Sequence, residues 1–170
     1  LLTEAYWMEL ETVMNYIAAS TNLDGVRAEE IKKSLAADVT AELGHAQLFA
    51  RRIKTVSGLV PGSFDFKPSQ KALQPPRETT DVVSIIKGVI QAEQSAITHY
   101  NKVIKTCDGV DYVTQDLAIT ILSDEQEHLP LARRHLLEYR RWRLEGVGAG
   151  GEVRDQAARD RGREERLAGV

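Results

Sequence analysis

Two Glu-x-x-His pairs, Glu42/His45 and Glu125/His128, are the residues best suited to chemistry. Side chains three positions apart lie on one side of a helix. A carboxylate beside a neutral imidazole is a ligand pair suited to iron or manganese. Two further acids repeat a second pattern. Glu9 precedes Tyr16 by seven residues, and Glu93 precedes Tyr100 by seven. Glu42 lies 33 residues beyond Glu9, and Glu125 lies 32 beyond Glu93. The two halves of the chain thus carry one constellation at nearly one spacing. A pseudo-twofold pair of hairpins would bring the halves face to face.

The segments that carry these residues have helical periodicity, and almost nothing reads as strand. The first helix is expected over about Thr3–Thr21 and the second over about Arg27–Ser57, with Gly58 in the position that ends helices. The third is expected over Asp81–Cys107 and the fourth over Tyr112–Leu144, interrupted only by Pro130. Between the second and third, residues 59–80 hold four of the five prolines and cannot continue a helix. Short links after the first and third helices make antiparallel hairpins. A middle segment of about 20 residues makes sense as a crossover along a helix about 40 Å long. The expectation is an all-α four-helix bundle over residues 1–144. Residues 145–170, opening on Gly146-Val147-Gly148-Ala149-Gly150-Gly151, read as a flexible linker and charged C-terminal tail, with a short helix used in assembly as the competing reading.

Within this frame the acids are misplaced. The second helix sets Ile31, Leu35, Val39, Ala46, Phe49, Ile53 and Val56 on one stripe, and Glu42 and His45 fall on it. The other helices repeat the anomaly: Glu9 between Tyr6 and Val13, Glu93 between Val89 and Ile97, Glu125 and His128 between Ile121 and Ala132. Buried charges must be paired or bound to metal, because the cost of leaving four bare exceeds a marginal stability of about 5–15 kcal/mol. No lysine or arginine shares these stripes near the acids. Four carboxylates against two divalent cations balance, with the histidines neutral. Exposed pairs at chance spacing, boundary salt bridges at Glu9 and Glu93, and tyrosines that merely pack are the alternatives. Glu11 and Glu127 lie about 200° round their helices from the ligands and read as solvated. His99 reads as a plain histidine and Cys107 as a small apolar group. His135, seven residues past His128, reads as a plain histidine, with a place facing the site or a second, weaker metal position as the alternative.

These residues resemble the ferritin-like di-iron carboxylate family, and bacterioferritin most closely. The resemblance covers about residues 1–144 and rests on Met8-Glu9-Leu10 through Tyr16, Glu42-Leu43-Gly44-His45, Glu93, and Asp124-Glu125-Gln126-Glu127-His128. Its ligand pattern, one Glu from each of two helices and Glu-x-x-His from each of the others, is a general one. The resemblance implies one long crossover between helices two and three, and two iron ions as cofactor, with manganese an option. It implies that Glu42 and Glu125 bridge the metals, that Glu9 and His45 complete one, and that Glu93 and His128 complete the other. Tyr16, Tyr100 and Asp124 would support the ligands from behind. It further implies a homo-oligomer that oxidises Fe²⁺ with O₂ or H₂O₂, for storage or detoxification. A cytoplasmic location is expected from the single cysteine, which suits a reducing compartment. Two departures bear on this. The haem-ligating methionine of bacterioferritin is Leu43 here, so haem is not expected. The aspartate before the second bridging glutamate is kept as Asp124, but its counterpart is Ala41.

Composition narrows the alternatives. At 170 residues the chain suffices for one core, and a net charge of −3 gives no basic field for nucleic acid or membrane. No apolar run approaches the roughly 20 residues of a membrane span, and the residues from Leu1 onward do not read as a basic-then-apolar signal, which leaves open a leader upstream of Leu1. The single cysteine forbids the Cys-x-x-Cys module of rubrerythrins. The intrachain repeat argues against a Dps-type site shared between subunits. A peroxidase or dimanganese catalase on the same ligands, or a non-catalytic structural bundle, remain as competing functions.

Overall fold

The computed structural model describes residues 1–26 and 28–167, with side chains described to residue 142. Four helices follow one another: α1 (Leu2–Asn22), α2 (Ala28–Thr55), α3 (Val82–Cys107) and α4 (Tyr112–Leu167). No strand occurs among the described residues. The all-α, four-helix order expected from periodicity is the one observed. Arg27, where the second helix was expected to begin, lies outside the described residues.

The helix ends explain why the links sit where they do. Asp81 caps α3 by accepting a hydrogen bond from the Ser84 amide at 3.1 Å, which satisfies one of the free donors of the first turn. Asp111 does the same for α4 through the Thr114 amide at 3.0 Å. Arg52, in the last turn of α2, places its guanidinium 2.6 Å from Asp111 Oδ1 and donates from Nε to Thr114 Oγ1 at 2.6 Å. This contact and the Thr114 hydrogen bonds hold the Asp111 carboxyl well below the usual carboxylate range. At the end of α2 the left-handed conformation falls on Ser57 (φ 66°) rather than on Gly58. The Gly58 amide donates back to the Ile53 carbonyl at 2.8 Å. A Cβ at Gly58 would lie 2.9 Å from that carbonyl oxygen, so the close return of the chain requires glycine there.

The hairpins are antiparallel. Ala5, near the start of α1, shares a core cluster with Phe49, near the end of α2, and with Ala96, Tyr100 and Ile121. At the other side of the acid layer, Ile31, Leu35, Ile86, Val89 and Ala132 face one another. The core register on α3 differs from the simple stripe. Ala96 and Val103 are the buried residues, and Ile97 and Ile104 lie beside them, half-buried. Val56, expected inside, is 45% exposed because α2 has already ended.

Residues 56–81 return along the bundle as the crossover, with one 3-10 turn at Ser63–Asp65. This segment is pinned by a residue that periodicity assigns to solvent. Glu11 is 3% exposed, not solvated. Its carboxylate accepts from the Ser69 amide (2.9 Å), the Ser69 hydroxyl (3.0 Å) and the Gln70 amide (2.9 Å). Helical periodicity reports only which face meets another helix, and here a loop covers the opposite face. His99 is likewise buried, with Nε2 donating to the Leu1 carbonyl at 2.9 Å. Glu127 is exposed and His135 half-buried.

The composition change at Glu145 does not end α4, which runs to Leu167. The linker expected over residues 145–151 is therefore helical, and of the expected tail only residues 168–170 lie outside the described part. Extending an existing helix needs no new nucleus. Beyond Gly151 the sequence is rich in Arg, Glu and Ala, all good helix formers. Two compact units divide the chain, Leu1–His135 and Leu136–Val170.

The crossover also meets α3 closely. A Cβ on Gly88 would lie 2.5 Å from the Ala72 carbonyl oxygen and 2.8 Å from the Leu73 Cα, both backbone atoms that cannot swing aside. In an open helix Gly→Ala would stabilise by about 1 kcal/mol. Here overpacking of about 1–3 kcal/mol should outweigh that gain. Gly88→Ala is expected to lower the thermal midpoint by a few degrees. A rise on calorimetry would show that the crossover does not bear on α3 as described.

Candidate metal centre

Each helix delivers its acid to one layer of the bundle. Glu9 from α1, Glu42 from α2, Glu93 from α3 and Glu125 from α4 are each 1–2% exposed. His45 is buried with them, and the His128 side chain keeps 23% exposure at the edge. Two sets of ligand atoms form. Glu9, Glu42, His45 and Glu125 can each bring one ligand atom within 4.8 Å of the others, and so can Glu42, Glu93, Glu125 and His128. Glu42 and Glu125 belong to both sets. Those are the two glutamates that open the Glu-x-x-His pairs.

The imidazoles are aimed inward through Nδ1. His45 Nδ1 lies 3.3 Å from Glu125 and 3.8 Å from Glu9. His128 Nδ1 lies 3.7 Å from Glu42 and 3.9 Å from Glu125. The Nε2 of His45 donates to Asp124 Oδ2 at 3.1 Å. That bond fixes the ring and, in the neutral form, leaves the Nδ1 lone pair facing the carboxylates. Asp124 therefore supports the histidine of the other helix pair. Ala41, at the matching place on α2, cannot do the same for His128.

The outer glutamates are held crosswise. Tyr16 of α1 donates to Glu93 of α3 at 2.9 Å, and Tyr100 of α3 donates to Glu9 of α1. Both tyrosines are fully buried. Each half of the repeat thus anchors the acid of the other half, in keeping with a pseudo-twofold arrangement.

The electrostatics are those of a site built for positive charge. Burial, then contact with Glu125, pushes the Glu93 acid up to about 9. Burial likewise raises Glu9 well above the usual range, and Glu125 and Glu93 add to it, although contact with Glu42 works the other way. Glu42 is raised by burial and by Glu9 and Glu93. Burial disfavours charge on His45, yet contact with Glu125, Glu42 and Asp124 outweighs it and raises that ring above its ordinary value. Protons alone can hold such a cluster together only by neutralising it.

Five buried polar side-chain atoms lack any hydrogen-bond partner among the described residues: Glu42 Oε1, His45 Nδ1, Glu93 Oε2, Glu125 Oε1 and His128 Nδ1. All five belong to the six candidate ligands. Buried polar atoms are otherwise almost always satisfied, and orphans converging on one place fit divalent metal. The oxygen and imidazole donor set suits iron or manganese, and no thiolate takes part.

The Ferritin family, a ferritin-like domain, matches residues 1–141 of the chain. Bacterial ferritin of Neisseria meningitidis is 32% identical over 120 residues, which cover 70% of each chain. A DNA protection during starvation protein of Pyrococcus furiosus is 27% identical over 132 residues, covering 75% of this chain and 70% of that one. Among solved structures, the bacterioferritin-related protein of Bacteroides fragilis, a dodecameric thioferritin, superposes with a TM-score of 0.72 at 22% identity. That match covers 85% of this chain and 86% of the other, and at such identity it speaks for the fold alone. The chain belongs to the ferritin-like family of di-iron carboxylate proteins, close to bacterioferritin.

Proposed function

We propose that the chain binds two iron ions between its four helices and oxidises Fe²⁺ with O₂ or H₂O₂, as a ferroxidase serving iron storage or detoxification. The observation that carries this is the convergence of five unpartnered buried ligand atoms from Glu42, His45, Glu93, Glu125 and His128. In this reading Glu42 and Glu125 bridge, since both ligand sets contain them. Glu9 and His45 complete one ion, Glu93 and His128 the other. Two Fe²⁺ each give up one electron, and one H₂O₂ with two protons becomes two waters. The four carboxylates balance the charge of the two Fe²⁺, while Tyr16 and Tyr100 keep the outer two in place. Family membership supports iron handling, and the dodecameric neighbour supports a homo-oligomer here as part of the proposal.

Proton and metal compete for the same atoms, which fixes a pH dependence. Glu93 is raised from an ordinary value of about 4.5 to about 9, and Glu9, Glu42 and His45 are raised too. A raised group contributes stability that is complete below its unfolded value and lost as pH climbs through its folded value. The metal-free chain should therefore lose thermal stability between pH 5 and pH 9. Divalent metal should release protons on binding and restore the loss, adding about 2.7 kcal/mol at a hundredfold excess over Kd. Scanning calorimetry with and without Fe²⁺ or Mn²⁺ checks this. A metal-free midpoint that stays level or rises across the window would count against a buried acid cluster.

The assigned roles predict an order of severity. Glu42→Ala or Glu125→Ala removes a ligand from both ions and should abolish rapid Fe²⁺ oxidation in stopped-flow absorbance. Tyr16→Phe removes one hydrogen bond, worth about 0.5–1.5 kcal/mol, or roughly tenfold in rate at most. Oxidation at wild-type rate by both folded glutamate variants would leave a structural bundle as the better reading.

A further inference from the structure

The acid layer has two unlike sides. Towards α4 it opens on charge: the Asp124 side chain is 52% exposed and bonded to His45, and His128 is 23% exposed. Towards the crossover there is a cavity of about 10 Å³, bounded on its inner side by the four glutamates. Its outer wall includes Met8, Thr12, Gln70 and Ala92, none of them charged. Met8, Gln70 and Ala92 also line the floor of a large groove outside, of about 1150 Å³. Met8, Gln70 and Ala92 are thus shared by the groove and by the cavity that meets the carboxylates.

Gln70 is the part of this wall that is held by hydrogen bonds rather than by the helix backbone. Its Nε2 donates to Thr12 Oγ1 at 2.6 Å and to the Met8 carbonyl at 3.1 Å, and its Oε1 accepts from Asn15 at 3.1 Å. Its backbone is fixed by the buried Glu11. A side chain on a pinned backbone can swing out without moving a helix, and its amide partners set the resistance to doing so.

We propose that this wall is an entrance to the metal centre for small uncharged molecules, with the Gln70 side chain as its gate. The inference rests on the di-metal reading of the site. An uncharged constriction does not replace the hydration of a divalent cation, so cations are disfavoured there, and the Asp124/His128 side serves them. O₂ and H₂O₂ need no such compensation. The two substrates of the reaction would then reach the centre from opposite sides.

The test uses nitric oxide as the uncharged probe and Co²⁺ as the cation. Anaerobic Fe²⁺-loaded protein is mixed with nitric oxide, and separately metal-free protein with Co²⁺, both followed by stopped-flow absorbance. Gln70→Ala, which removes the gate, should speed nitric oxide association by about three- to tenfold, the effect of one hydrogen bond lost from an opening barrier. Gln70→Met, which keeps the bulk and loses the amide, should lie between wild type and Gln70→Ala. Co²⁺ loading should keep its rate and stoichiometry in both variants. Unchanged nitric oxide rates, or equal acceleration of nitric oxide and Co²⁺, would overturn the route while leaving the metal centre standing. Failure of the wild-type chain to bind Co²⁺ at all would remove the metal centre, and the route with it.

Discussion

Four carboxylates in the dry interior of one bundle impose a constraint that much else in the molecule answers. Each would cost several kcal/mol to bury alone, and together they repel. The sequence puts them at matching heights on four helices, so the bundle cannot close without something that neutralises them. Protons can do so, which is why Glu9, Glu42 and Glu93 titrate so far above the usual range. Two divalent cations can do it better, because they also satisfy the lone pairs that protons leave unmatched. The tyrosine contacts and the Asp124–His45 bond then follow as the supports that hold ligands in place against their mutual repulsion.

The helices and the crossover serve that layer in different ways. Apolar residues on both sides of it, Ala5, Phe49, Tyr100 and Ile121 on one and Ile31, Leu35, Ile86 and Val89 on the other, exclude water and lower the local dielectric. That strengthens every interaction inside. The crossover seals the face between α1 and α3, bonded to Glu11 and pressed against Gly88. Among the described residues it contributes Gln70 to the wall of the site, the position proposed as a gate.

The parts that were legible in the sequence are those where local chemistry contradicts local pattern. A glutamate on an apolar stripe is such a contradiction, and Glu9, Glu42, Glu93 and Glu125 each showed one. Proline content marked the crossover. What stayed hidden depends on the crossover's path in space. Glu11 sits on the face that periodicity gives to solvent, and only the return of Ser69 and Gln70 buries it. Gln70 and Gly88 carry no local signal at all, since nothing in their neighbourhoods says which backbone will meet them. The end of α4 was misplaced for a different reason: a glycine run weakens a helix without terminating it, unlike a proline.

The central claim is that six side chains from four helices enclose a pair of metal ions within a single chain. Anomalous X-ray diffraction from crystals soaked anaerobically in Fe²⁺ tests it most directly. Two anomalous peaks per chain are predicted, about 3.5–4 Å apart, lying between Glu42 and Glu125, with His45 and His128 on opposite flanks. A single peak, peaks confined to the protein surface, or a Glu9 or Glu93 carboxylate turned away to solvent would contradict the account.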